Sequence, residues 1–318
     1  NMTRLAAICL FLLCISGTSV LARSVTDSAG RTVEIPDTVT RVFAAGPPAS
    51  ILVYALKPEA LLGWPRALRD YEKPFIAEAF RDLPETGRLT GRGGEANLEQ
   101  VLALKPDLII DFGSVRDTYI DLADRVQEQT GIPYLLVNGR FDETAGALRL
   151  VGEALGVPER GDLLAADVEA TFTALTSALG AVPEADRPRV YLARGADGLE
   201  TGLKGSINTE IIEKAGGRNV ADVPGQYGLV QASPEQIIVA NPDTIVTWDR
   251  SFYEAVWQDP LWQGIAAVRE GRVFLSPTAP YGWIDRPPSV NRMRGLKWLA
   301  GLFYPELWEG ERRQETAD

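Results

Sequence analysis

Histidine is absent from all 318 residues, and the only two cysteines, Cys9 and Cys14, fall in the first 22. These absences exclude whole classes of chemistry. Without an imidazole there is no Ser-His-Asp or Cys-His catalysis, and no zinc site built from His or Cys. Positive charge is also scarce, with 32 Lys and Arg against 43 Asp and Glu and a net charge of −11. No basic patch of the kind that nucleic acids require stands out, so no nucleic-acid partner is expected. An apolar run of bilayer length is missing too. Residues 5–15 are apolar, follow Arg4, and lead to Val20-Leu21-Ala22. That is the layout of a secretory signal segment, too short for a comfortable span. Phe11-Leu12-Leu13, ahead of Cys14, lacks the small residues of a lipid-attachment site.

What is present includes one stretch that occurs twice. Glu99-Gln100-Val101-Leu102-Ala103-Leu104-Lys105-Pro106-Asp107-Leu108-Ile109-Ile110 returns 136 positions later as Glu235-Gln236-Ile237-Ile238-Val239-Ala240-Asn241-Pro242-Asp243-Thr244-Ile245-Val246. In each copy, apolar residues at helical spacing end at a proline, which disfavours the α region for the residue before it. An aspartate then opens an apolar run of buried-strand length. The unit reads as helix, tight turn, buried parallel strand, the building block of an α/β domain. Two distant copies predict two similar lobes rather than a solenoid.

The rest of the chain fits that frame. Residues 25–35 alternate around an Asp-to-Gly turn, as a β-hairpin does. Arg41-Val42-Phe43-Ala44-Ala45-Gly46 reads as a strand ending at Pro47-Pro48, with Ser50 as cap of a helix over 51–56. Residues 64–89 are charged and aperiodic, as surface helix and loop are. Helices are expected over 118–129, 143–155 and 163–179, and a strand at 132–137. The run 163–179 contains no Gly or Pro and reads as a stiff connection between lobes. Arg189-Val190-Tyr191-Leu192-Ala193-Arg194-Gly195 then echoes the first strand. Helices over 206–215, 252–267 (one or two short ones) and 290–303, with a strand at 272–275, complete the second lobe. The expected organisation is a signal peptide at 1–22, an N-terminal lobe at 23–157, a linking helix at 158–186, a C-terminal lobe at 187–308 and a polar tail at 309–318. The fold class is α/β, with two similar lobes of mainly parallel sheets joined by one long helix.

An export signal, two α/β lobes, one stiff helical link and paired Glu-Gln…Pro-Asp units together resemble the class III periplasmic binding proteins of ABC importers, from residue 25 to about 305. The resemblance implies a periplasmic, non-enzymatic, monomeric receptor without a cofactor or metal site of its own. It hands a small molecule to an inner-membrane permease with a cytoplasmic ATPase. Such proteins take vitamin B12, ferric siderophores, haem and related chelates. A subset binds free metal through His, from which this chain departs completely; another binds oxyanions such as molybdate or tungstate.

Ligands of open α/β sheets lie beyond the carboxyl ends of strands, which selects Ser50, Arg92-Gly93-Gly94, Gly113, Ser114, Arg116, Arg194, Tyr227, Trp248-Asp249-Arg250, Tyr281, Gly282, Trp283 and Arg286. Trp248 ends an apolar run and reads as core. Tyr281-Gly282-Trp283-Ile284-Asp285-Arg286-Pro287-Pro288-Ser289 sets two aromatics and an Arg in a short loop, as binding loops do. By resemblance, the family places an aromatic before each duplicated helix and an Arg in this last loop, which makes Tyr227, Trp283 and Arg286 the foremost contacts. Arg92 stands where an aromatic is expected in the first lobe, which disfavours a corrinoid and favours an anionic ligand, an anionic metal chelate first. By the same resemblance, Glu99 and Glu235 form salt bridges with arginines on the two membrane subunits. Asp249 and Asp285 are the loop carboxylates that a carboxylate-only hydrolase could use.

Overall fold

The computed structural model describes residues 21–91 and 97–307. Most of the expected signal segment, the Arg92-Gly93-Gly94 turn and the polar tail lie outside the described residues.

The chain opens with an antiparallel pair, β1 (Ala22–Thr26) and β2 (Thr32–Pro36). It continues with β3 (Val42–Ala44), α1 (Pro47–Leu56), α2 (Leu98–Ala103), β4 (Leu108–Gly113), α3 (Asp117–Thr130), β5 (Tyr134–Asn138) and α4 (Thr144–Ala154). A 22-residue helix, α5 (Pro158–Leu179), leads onward. Then come β6 (Arg189–Ala193), β7 (Glu200–Gly202), α6 (Glu210–Lys214), β8 (Arg218–Asn219), β9 (Leu229–Gln231), α7 (Pro234–Ala240), β10 (Thr244–Thr247), α8 (Arg250–Ala255), α9 (Pro260–Gln263), α10 (Ala266–Arg269), β11 (Val273–Leu275) and α11 (Arg292–Phe303). The first parallel sheet has the order β3-β4-β5, and the second β11-β10-β6-β8.

Parallel strands are buried on both faces, which is why each reads as a continuous apolar run. In the first sheet Val42, Ala44, Leu108, Ile110, Leu135 and Val137 face one core cluster, while Phe43, Ile109 and Tyr134 face another. In the second, Val190, Leu192 and Val246 face one side and Tyr191, Ala193 and Ile245 the other. Helix α5 joins the two halves by burial. Its Ala165 and Val168 belong to the first lobe's core, and its Leu175 and Leu179 to the second's. It closes at Leu179, and residues 180–188 continue without helix apart from a 3-10 turn at Glu184–Asp186.

The duplicated units share one clamp. Asp107 accepts hydrogen bonds from the backbone N–H groups of Thr40 and Arg41, at 2.9 and 3.1 Å. Asp243 accepts from Arg189 N at 3.0 Å. Arg41 and Arg189 in turn donate to carbonyls at the end of the preceding helix, Lys105 O at 3.1 Å and Asn241 O at 3.0 Å. The residue before each proline, Lys105 or Asn241, is left-handed, with φ of 51° and 40°. The repeated Pro-Asp is therefore the lock between a helix end and the neighbouring strand start.

Three expectations need correction. Ser50 caps nothing: α1 starts at Pro47 with Gly46 before it, and the Ser50 hydroxyl donates to Pro47 O at 2.7 Å inside the first turn. Prolines suit those first positions, whose N–H groups would be unpaired anyway. The helix expected over 206–215 shortens to α6, because Ser206 and Thr209 bond each other and Thr209 donates to Leu203 O in a turn. Residues 252–267 form parts of three short helices, each of the last two started afresh, α9 by the Asp259 cap.

Candidate functional site

The carboxyl ends of both parallel sheets open into one cleft of about 1830 Å³. Its walls come from strand ends and the loops beyond them: Asp111 to Gly113 at the end of β4, Asn138 at the end of β5, Arg194 after β6, Trp248 after β10 and Ser276 after β11. Eight arginines line it, and no lysine does among the described residues.

On the second lobe the polar framework centres on Asp285, which is fully buried. Its carboxylate accepts from Arg194 Nε, Asn208 Nδ2 and the Arg286 backbone N–H, each at 2.8 Å. Arg194 also pairs with Glu200. Both Arg194 and Arg286 lie over the Trp248 ring, at 5.6 and 4.5 Å from its centroid. The indole thus gives the cleft an aromatic surface held between cations. Asp249 caps α8 through Phe252 N at 3.0 Å.

On the first lobe Glu72 is buried and binds Arg66 through both oxygens, at 2.9 and 2.7 Å. Asp111, also buried, receives the Tyr134 hydroxyl at 2.9 Å, and burial pushes its carboxyl up to about 6. Tyr281 crosses from the last loop to pack on Trp64, 6.0 Å between centroids. Its hydroxyl is buried without a partner among the described residues, and burial raises it well above the ordinary phenol range.

Beneath the cleft, Arg292 ties the lobes together. It is fully buried and donates to Gly139 O at 2.8 Å, Ile207 O at 3.3 Å and Ser289 O at 2.9 Å, with Glu210 at 3.8 Å. Its guanidinium also sits 4.8 Å over Phe141. Burial lowers it to about 10, still cationic at neutral pH.

The structure brings Ser50, Arg194, Tyr227, Tyr281 and Arg286 together on the cleft wall, with Tyr227 73% exposed. It does not bring Trp283 there. That indole is buried, donates to Ala279 O at 3.1 Å, and its loop presses on Gly295 of α11, where a Cβ would meet Trp283 O at 1.8 Å. Arg92 lies outside the described residues. Glu99 and Glu235 are exposed in the first turns of α2 and α7, whose Asn97 and Ser233 caps are both formed. Trp248, expected as core, both packs on the second core and lines the cleft. Sequence reasoning missed Arg66, Glu72 and Asp111. Only Asp111 carried a signal, as a carboxylate inside an apolar strand.

Comparisons with known proteins agree with this geometry. Residues 70–280 match the family model described as periplasmic binding protein. The chain is 26% identical over 321 residues to molybdate-binding protein MolA of Haemophilus influenzae, covering 93% of this chain and 88% of that protein. It is 27% identical to the ABC transporter substrate-binding lipoprotein YvrC of Bacillus subtilis over 67% of each. An ABC transporter solute binding protein from Sulfurospirillum deleyianum superposes with a TM-score of 0.80 at 29% identity, covering 90% of both chains. Molybdate-bound MolA superposes with a TM-score of 0.72 at 24% identity, over 90% of this chain and 93% of that one. With two lobes, an open cleft between them and a family match across both, the chain belongs to the class III periplasmic binding proteins of ABC importers.

Proposed function

We propose that this protein is the periplasmic receptor for an anionic metal chelate, a ferric siderophore or haem-like complex, carried to an inner-membrane ABC permease with a cytoplasmic ATPase. The observation that carries the reading is an arginine-lined cleft of about 1830 Å³ in a chain of net charge −11. Drug-sized pockets run to about 1,000 Å³, so this cleft has room for a bulky chelate. Arg66, Arg69, Arg140 and Arg194 are committed to carboxylates. Arg88, Arg116 and Arg286 have none within 4.0 Å among the described residues and are available to a ligand. Guanidinium groups bind carboxylate or catecholate oxygens by charge-assisted hydrogen bonds, while Trp248, Tyr227 and Tyr281 offer aromatic surface to an organic face. The protein acts as a monomer without catalysis, and Glu99 and Glu235 meet basic sites on the two permease subunits.

A second reading is an oxyanion receptor, favoured by the likeness to MolA over 93% of the chain. Arginines would then close on a small tetrahedral anion. Native mass spectrometry and an absorption spectrum of protein purified from its own periplasm separate the two. A ferric chelate colours the protein and adds its own mass. Colourless protein carrying a molybdate or tungstate mass overturns the chelate reading.

A further inference from the structure

Among the described residues, one buried carboxyl on the cleft wall is answered by no cation. Asp111 stands near the end of β4 and is 4% exposed, in a strand otherwise apolar up to Phe112. From β5 the Tyr134 hydroxyl donates to its Oδ2 at 2.9 Å. From the segment before Gly91, the Thr90 hydroxyl reaches Oδ1 at 3.4 Å, but it stands equally far from Ala45 O. Helix α1 begins beside this corner, since a Cβ on Gly46 would lie 2.8 Å from the Thr90 hydroxyl. Its first two residues are Pro47 and Pro48, which have no N–H to offer. Arg31, in the turn between β1 and β2, is taken by Asp27, Asp124 and Tyr134 O. Arg88 and Arg116 line the cleft on neighbouring segments, and neither comes within 4.0 Å of the carboxyl. Tyr134 is itself held far above the ordinary phenol range by burial and by Asp111, so it stays a hydroxyl donor.

The contrast with the opposite wall is plain. Asp285 is equally buried, yet it receives a guanidinium, an amide and a backbone N–H. Asp111 receives two hydroxyls. Burial lifts its carboxyl and both hydroxyl bonds pull against that rise, and the net position is about 6. A negative ligand in the same cleft adds a like charge, which further disfavours the ionised form.

We propose that Asp111 makes ligand capture proton-linked: the cleft holds its anion with Asp111 neutral, and takes up a proton there when binding starts from the ionised carboxylate. This rests on the anionic-ligand reading above. Below about pH 6 the group is already neutral and affinity is level. Above it, affinity falls toward tenfold per pH unit, because each binding event must first recruit a proton.

Two probes test this by calorimetry, sodium molybdate and the iron(III) complex of a hexadentate tris-catecholate. Titrations in buffers of different ionisation heat count the protons taken up. The difference between the native protein and Asp111→Asn cancels any proton the probe itself exchanges. The expected difference is about half a proton at pH 6, rising toward one by about pH 7. Thr90→Val, which removes one of the two hydroxyls, moves the onset to higher pH. Equal uptake in the native protein and Asp111→Asn overturns the proposal. A carbon-13 titration of the aspartate carboxyls in ligand-free protein supplies the second arm. A signal near pH 6 that vanishes in Asp111→Asn supports the proposal, and titration of Asp111 in the ordinary carboxylate range overturns it whatever binds. If neither probe binds, the anionic-ligand reading fails and the proton linkage fails with it. The carboxyl titration then reads the Asp111 environment independently of any ligand.

Discussion

Arg286 holds a left-handed backbone, φ 56°, with its guanidinium over Trp248 and no carboxylate within 4.0 Å among the described residues. Its partner is expected to be the ligand. Replacing it with Ala should weaken binding by about 1.5–3 kcal/mol, roughly ten- to a hundredfold, in a calorimetric titration. Asp111 makes a separate prediction about stability. Its folded carboxyl lies above the ordinary value, so the folded state binds the proton more tightly than the unfolded one. Stability from this group is therefore greatest below 3.8, falls as pH rises to about 6, and is level beyond. The fall is on the order of 3 kcal/mol. Denaturant melts at successive pH values should show Asp111→Asn losing that slope. At this scale the strand-end rule anticipated that Ser50, Arg194, Tyr227, Tyr281 and Arg286 lie on the cleft wall, because strand direction determines which loops face the cleft. It could not orient Trp283, since a loop has no period to say which way a side chain turns. Nor could it see Arg66 with Glu72, a pair formed across six aperiodic residues.

At the scale of elements, the duplicated unit was the most legible part of the chain. Its Pro-Asp pair marks the clamp of Arg41 with Asp107 and of Arg189 with Asp243. What the pattern hid was the left-handed residue before each proline. Asn241 suits that conformation, whereas Lys105 strains in it. Lys105→Asn should therefore stabilise the protein by about 1 kcal/mol, seen as a raised melting temperature. The same helices carry Glu99 and Glu235 in exposed first turns, where the macrodipole favours an acid by about 0.3–1 kcal/mol in any case. Docking asks more of them. With Glu99→Arg and Glu235→Arg combined, ligand affinity in solution should persist while uptake by the reconstituted importer is lost, because like charges then face each other. Normal uptake would leave only the helix-end role. Helix α5 was visible through its apolar period. The small sheet of β7 and β9 was not, being three-residue strands with no alternation to read.

At the scale of the molecule, two ties oppose a large hinge motion. One is α5, whose two ends are buried in different lobes. The other is Arg292, which holds Gly139 of the first lobe and Ile207 of the second on one guanidinium. Solution scattering with and without ligand should show little change in radius of gyration; a marked contraction would mean that these ties yield. The two-lobe plan was legible from the duplication, but the tie through Arg292 was not, because one arginine in a helix carries no mark of burial. The last loop and helix matter in a further way. Tyr281 belongs to the first lobe's core, and Val290 and Met293 pack against it. The lobe made first at the ribosome is therefore finished by residues that emerge only after all the strands of the second lobe. Until they arrive, its core lacks a wall and Gly139 O lacks its donor. Synthesis itself keeps the leading half incomplete until the last loop and α11 have been made.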